Sequence, residues 1–201
     1  EPTPLPETGP RLMEDLDRGV VAVPTGDGVL VRWRLLGTEP RDLGFHVSRD
    51  GQRVTDEPVT GSTNYLDPAG TTDATYAVAP VEDGEGAEDG TVPEADRTDA
   101  VEVWDDGYKR IPVDRPESTV DPAGNTAVYH ANDASAADLT GDGSLDLVLK
   151  WEPTNAKDNA HDGHTSPVFL DGYTLDGERL WRVDMGRNVR AGAHYTQFLV
   201  Y

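Results

Sequence analysis

Apolar residues in this chain come in short runs, and nearly every run stops at a Gly, Asp or Pro turn signal, a punctuation that suits strands and leaves almost no room for helices. Val20-Val21-Ala22-Val23 meets Thr25-Gly26-Asp27-Gly28. Residues 29–35 (VLVRWRL) alternate apolar and polar, the period of a half-buried strand. Residues 45–49 (FHVSR) alternate again and end at Asp50-Gly51, a strong hairpin turn. Residues 64–67 (NYLD) and 75–79 (TYAVA) are further strands. Later, residues 145–151 (LDLVLKW) read as a nearly continuous apolar strand, and residues 168–175 and 178–183 form a hairpin about Asp176-Gly177. Residues 194–201 (HYTQFLVY) begin another strand. Residues 11–17 (RLMEDLD) allow one helical turn at most. The 21 glycines and 15 prolines fit a turn-rich, all-β chain.

Charge narrows the function classes. Asp and Glu total 38 against 17 Lys and Arg, a formal charge of -21. Lys109, Lys150 and Lys157 are the only lysines. Phosphate contacts need a basic face, so nucleic acid is not an expected partner, whereas divalent cations are attracted. An acidic, lysine-poor surface also fits work in high salt, where net charge maintains solubility. No apolar run approaches membrane-span length, so no membrane partner is expected. The absence of cysteine excludes disulfides and thiolate metal sites. Residues 1–10 (EPTPLPETGP) lack the apolar stretch of a signal peptide and read as a start left after processing, or a linker, in an extracellular protein.

The pattern divides the chain into an N-terminal extension (1–18), a β-sandwich (19–113), a linker (114–128) and the first blade or blades of a β-propeller, truncated (129–201). The sandwich resembles a fibronectin type III or Ig-like domain in its Trp33 strand, in residues 45–51 and in residues 75–78. Residues 82–99 (EDGEGAEDGTVPEADRTD) read as an exposed, carboxylate-dense hairpin loop. A lone four-stranded sheet does not bury its faces; a blade does so against neighbouring blades. With residues 194–201 read as a strand in progress, the expectation is a segment of a longer protein whose remaining blades complete the propeller.

The sharpest motif is Asp138-Leu139-Thr140-Gly141-Asp142-Gly143-Ser144-Leu145-Asp146. Asp138, Thr140 and Asp142 stand at alternate positions, Gly143 permits the sharp turn, Ser144 can offer its carbonyl and Asp146 closes the loop. Hard oxygen donors on a compact loop suit Ca2+, in a structural role. An EF-hand is excluded, because its closing Glu is replaced by Leu149 and a strand follows instead of a helix. A calcium loop running directly into Leu-Asp-Leu-Val-Leu resembles FG-GAP-type propeller blades.

Several stretches, in order along nearly the whole chain, resemble one family. They are residues 11–14 (RLME), 16–23 (LDRGVVAV), 31–39 (VRWRLLGTE), 129–135 (YHANDAS), 149–153 (LKWEP), 157–159 (KDN) and 188–198 (NVRAGAHYTQF). The family is the rhamnogalacturonan lyases of polysaccharide lyase family 11, which carry a calcium-rich propeller. The resemblance implies cleavage of rhamnose–galacturonate bonds of the pectic polysaccharide rhamnogalacturonan I by β-elimination, with Ca2+ neutralising the uronate carboxylate. It implies that Asn132 and Asp133 lie at the inner rim of the first blade, Asp133 on an active-site calcium and Asn132 on the sugar. Glu152, a second sugar contact, stands where the family is expected to have Asp. The general base is expected beyond Tyr201, so residues 1–201 alone are expected to be inactive.

Other candidates are weaker. His161 and His164 flank Gly163 with no third metal ligand apparent. Lys150 is expected at the end of a strand, packing its stem or pairing with an acid. Arg190 and His194 are channel-lining or packing residues. Trp33, Trp104, Trp151 and Trp181 are expected in cores ahead of sugar stacking. The competing function is a non-catalytic carbohydrate-binding or adhesion protein with calcium-loop blades.

Overall fold

The computed structural model describes residues 13–81, 97–192 and 194–200. The chain divides into two compact units, Glu1–Lys109 and Arg110–Tyr201. Among the described residues every regular element is a strand. The carboxylate-dense loop expected over residues 82–99 falls outside the described residues up to position 96.

In the first unit, β1 (Val21–Thr25), β2 (Gly28–Arg32) and β5 (Asn64–Asp67) form a three-stranded antiparallel sheet. A second sheet runs in the order β4 (Gln52–Arg53), β3 (Gly44–Arg49), β6 (Thr75–Val81), β7 (Val101–Glu102). Three strands facing four, with side chains of both inner faces in one core, is the β-sandwich expected from the alternation. Ala22, Val29, Val31 and Trp33 meet Phe45, Val47, Tyr76 and Val78 in that core. Trp33 and Phe45 pack as a tilted pair with ring centroids 5.5 Å apart. The β3–β4 hairpin turns at Asp50 and Gly51, whose φ values of 51° and 78° are the left-handed pair a two-residue hairpin needs. Tyr76 lies against Gly70, where an added Cβ would stand 2.2 Å from its hydroxyl, and donates to Asp67 at 2.8 Å. The strand read over residues 29–35 is shorter than expected. β2 ends at Arg32, although Trp33 N–H still donates to Thr63.

The second unit is led by a hairpin, β8 (Thr119–Val120) with β9 (Thr126–Ala127). This hairpin falls within the stretch that the sequence alone reads as a linker, residues 114–128. Its turn is built by Asp121, whose carboxylate accepts from the N–H groups of Ala123 and Asn125 at 2.9 Å each and from the side-chain amides of Asn125 and Asn155. These bonds, led by the Asn125 side chain, hold Asp121 below its ordinary carboxylate pKa. Four antiparallel strands follow in simple up-and-down order: β10 (Tyr129–Ala137), β11 (Asp146–Pro153), β12 (Phe169–Tyr173) and β13 (Arg179–Asp184). Tyr129, Leu149, Trp151 and Tyr173 form the apolar side, with Leu147 and Phe169 against them.

Two expectations are corrected here. Residues 194–200 carry no strand, because their backbone finds no ladder partner among the described residues. Trp181 is not a core residue. It is 36% exposed and packs against Gly172, where an added Cβ would meet its ring at 2.5 Å.

Candidate functional site

The edge strand β10 does not pair evenly with β11. Ala131 faces Trp151 and Ala134 faces Leu149, so Asn132 and Asp133 share an irregular step, a β-bulge. A bulge re-aims side chains, and here it gathers polar ones. On β11, Lys150 and Glu152 alternate with Leu149 and Trp151 and so share the opposite face. His130 stands directly across from Glu152 in the register.

Contacts follow from that placement. Lys150 Nζ donates to Asp133 Oδ2 at 2.6 Å. Asn132 Nδ2 donates to Glu152 Oε2 at 3.3 Å, and His130 Nε2 lies 3.8 Å from the same oxygen. Burial is lopsided: Lys150 is 2% exposed, whereas the Asp133 side chain is 64% exposed. An exposed ion pair contributes about 0–1 kcal/mol, but stripping the partner from a buried charge costs about 3–5 kcal/mol. The pair has one member of each kind. Contrary to the sequence reading, Lys150 lies within β11, not at its end; pairing with an acid was foreseen, but not which acid.

The Asp138-to-Asp146 loop connects β10 to β11. Gly141 and Gly143 take φ values of 79° and 86°, a conformation other residues adopt with strain. Asp138 receives N–H groups of Gly141 at 2.7 Å and Gly143 at 2.9 Å, with those of Thr140 and Asp142 beyond 3 Å. This nest, the Gly143 amide first, holds Asp138 below its ordinary pKa. Asp142 accepts from Ser144 N–H, and Asp146, itself buried, accepts from Leu139 N–H. The donor set of Asp138, Thr140, Asp142, Ser144 and Asp146 fits a hard cation in chemistry and in loop order. Its carboxylates here serve their own backbone, and among the described residues no three His, Cys, Asp or Glu side chains are grouped to hold a metal ion.

The remaining candidates separate. His161 and His164 are exposed in the loop after β11. Arg190 donates to the carbonyls of Asp158 and His161, and His194 Nδ1 lies 2.7 Å from Asp158 Oδ1, so both residues brace that loop. The His194 contact leads the causes that lower the Asp158 pKa. A buried polar lattice was not anticipated. Asp171, fully buried, accepts from Trp151 Nε1 at 2.7 Å, Tyr173 at 2.8 Å and Arg182 Nε at 2.7 Å. Arg182 also reaches the Asp114 carbonyl, and Asp114 N–H donates to Tyr173, which fixes the segment before β8 to the sheet. Its one sign in the sequence is Asp171, an acid in the middle of a run of strand residues.

Known proteins resemble both halves of the chain. Residues 11–104 match the β-sheet domain of the rhamnogalacturonan I lyases, and residues 108–201 match the C-terminal domain of rhamnogalacturonan lyase family 11. The chain therefore belongs to the family 11 rhamnogalacturonan lyases, as its sequence stretches implied. It is 49% identical over 191 residues to "Rhamnogalacturonan exolyase YesX" and 46% identical over 195 residues to "Rhamnogalacturonan endolyase YesW", both of Bacillus subtilis (strain 168). These alignments cover 95% and 97% of this chain but 30% of each relative. The crystal structure of the exotype lyase YesX superimposes with a TM-score of 0.85 at 47% identity, covering 96% of this chain and 31% of that one. The Bacillus licheniformis family 11 lyase gives the same score and identity, with 96% and 32% covered. The chain thus spans about a third of the length of the relatives it matches.

Proposed function

We propose that this chain is the N-terminal portion of a secreted rhamnogalacturonan lyase that cleaves rhamnose–galacturonate bonds of pectin by calcium-assisted β-elimination. The observation that carries the reading is the bulge of β10, which brings Asn132, Asp133, Lys150 and Glu152 together in a member of this family. The four-stranded up-and-down sheet is read as the first blade of a propeller, completed by further blades of the same protein. The polymer substrate lies outside cells, which supports an extracellular site of action.

In this reading Asn132 and Glu152 contact sugar hydroxyls. The amide donates and the carboxylate accepts, and their mutual hydrogen bond sets both before substrate arrives. Glu152, longer than the expected Asp, is held back by Asn132 and His130. Asp133 would hold an active-site cation, and Asp138, Thr140, Asp142, Ser144 and Asp146 would hold a structural one. Bound Ca2+ would neutralise the uronate carboxylate and so acidify the adjacent C–H. In the elimination a base beyond residues 1–201 takes that proton, the C–H electrons form a C=C bond, and the C–O bond to the leaving sugar breaks with its electron pair on the oxygen, which is then protonated. None of the residues gathered at the bulge is assigned as the base.

The test is an absorbance assay for unsaturated product on rhamnogalacturonan I with the full-length protein, with and without a chelator. Chelator-sensitive product, and a roughly tenfold loss of kcat/KM in Asn132→Ala, are expected from one lost substrate hydrogen bond. Binding without product would make the protein a carbohydrate-binding module instead.

A further inference from the structure

We propose that His130 is a specificity-determining residue of the β10 bulge, whose imidazolium receives the carboxylate of a galacturonate flanking the cleaved bond. This rests on the lyase reading above and adds a substrate contact to it. The balance of charge at the bulge carries it. Lys150 Nζ lies 2.6 Å from Asp133 Oδ2, so that ammonium and that carboxylate offset each other. Glu152 is left, and the Asn132 amide on its Oε2 carries no charge. His130 stands directly across from Glu152 in the register, with Nε2 3.8 Å from the same oxygen. That distance lets opposite charges attract and is too long for a hydrogen bond, so the ring keeps its N–H groups for a ligand. The ring is also the accessible member of the pair: the His130 side chain is 52% exposed and that of Glu152 15%.

A polymer of rhamnose–galacturonate bonds carries a carboxylate on each galacturonate. The cation of the proposed elimination answers the one beside the reacting C–H. Another carboxylate brought to the bulge meets Glu152. With His130 neutral, the two like charges repel. With His130 protonated, the imidazolium offsets Glu152 and donates a charge-assisted hydrogen bond to the sugar acid. Acceptance of the acid therefore weakens as pH rises. The charged groups at the bulge besides His130 are Glu152 and Lys150 on β11 and Asp133 on β10.

The test is calorimetric titration of the full-length protein with the disaccharide of galacturonate linked through its C1 to rhamnose, and with its methyl ester. This galacturonate carries no leaving sugar, so the probe stays intact. Titrations at about pH 5 and about pH 8 span the range in which histidine changes charge. The parent should bind the acid about tenfold more tightly at the lower pH and show no such preference with the ester. His130→Gln should lose about tenfold in affinity for the acid at about pH 5 and several-fold less for the ester. His130→Arg, with a fixed charge, should keep the acid preference at both pH values. An acid preference that survives His130→Gln, equal losses on acid and ester, or no binding of either sugar would overturn the proposal. Turnover of the polymer is scored separately by the absorbance of unsaturated product. A parent that binds the acid through His130 yet forms no product removes the lyase reading and leaves the sugar-acid contact standing.

Discussion

The two units solve the burial of polar groups in opposite ways. The sandwich core is apolar, built on Trp33, Phe45, Val47 and Val78, with its acid, Asp67, answered by Arg49, Tyr76 and the Ala69 N–H. The four-stranded sheet has a smaller apolar cluster and buries Asp121, Asp146, Lys150 and Asp171. Apolar cores accept substitutions that conserve volume, whereas a satisfied polar lattice fails when any one partner is lost. The second unit is therefore the brittle one, and it is also where the candidate site lies.

The severest test of that contrast is Asp171→Ala. It leaves Arg182, the Trp151 indole N–H and the Tyr173 hydroxyl without their acceptor, and should cost about 3–5 kcal/mol by denaturant titration. A loss under about 1 kcal/mol would show the lattice to be dispensable. Next in size is the removal of Ca2+ that the proposed function calls for. If the loop of residues 138–146 takes up the ion, protein in Ca2+ at about a hundred times Kd gains about 2.7 kcal/mol, and a chelator should abolish that gain. Amide hydrogen exchange should show the loss at residues 138–146 and along β11, with β3 and β6 of the sandwich unchanged. Exchange rising equally in both units would break the contrast. Val47→Ala in the sandwich should cost about 2 kcal/mol.

The smallest effect concerns His46. It is buried on β3 with Nδ1 2.9 Å from Thr55 Oγ1, which also accepts from Val47 N–H. Burial first, then the nearby Arg53 charge, lowers its pKa below the ordinary 6.5. The unfolded chain therefore binds the proton more readily. The contribution of neutral His46 is fully present above pH 6.5 and declines as pH falls through that value towards the folded one. His46→Gln should flatten this part of the stability–pH profile. An unaltered slope would mean that His46 does not report on the sandwich.

What the sequence disclosed was whatever depends on local pattern. Alternation located β2 and β3, short runs between turn signals located β5 and β6, and the Asp50-Gly51 and Asp176-Gly177 pairs located two turns, because backbone handedness is written in residue type. Long-range pairing is not local. The β8–β9 hairpin has two-residue strands, too short for any period, and depends on Asp121 reaching Asn155 across the chain. Residues 194–200 have strand composition but no ladder partner among the described residues, and a strand is defined by its ladder. The grouping of the candidate residues was legible in part. Asn132, Asp133 and Glu152 were marked by resemblance, and the structure brings all three together with Lys150. The contribution of His130 follows only from the register that sets it opposite Glu152.

The bulge at Asn132 and Asp133 has one more effect. β10 lies at the margin of its sheet, where an even row of free N–H and C=O groups would invite another polypeptide to add a strand. The uneven step interrupts that row, and His130 and Asp133 surround it with polar side chains. The irregularity that groups the site's residues thereby also protects the unit from aggregating through its own border.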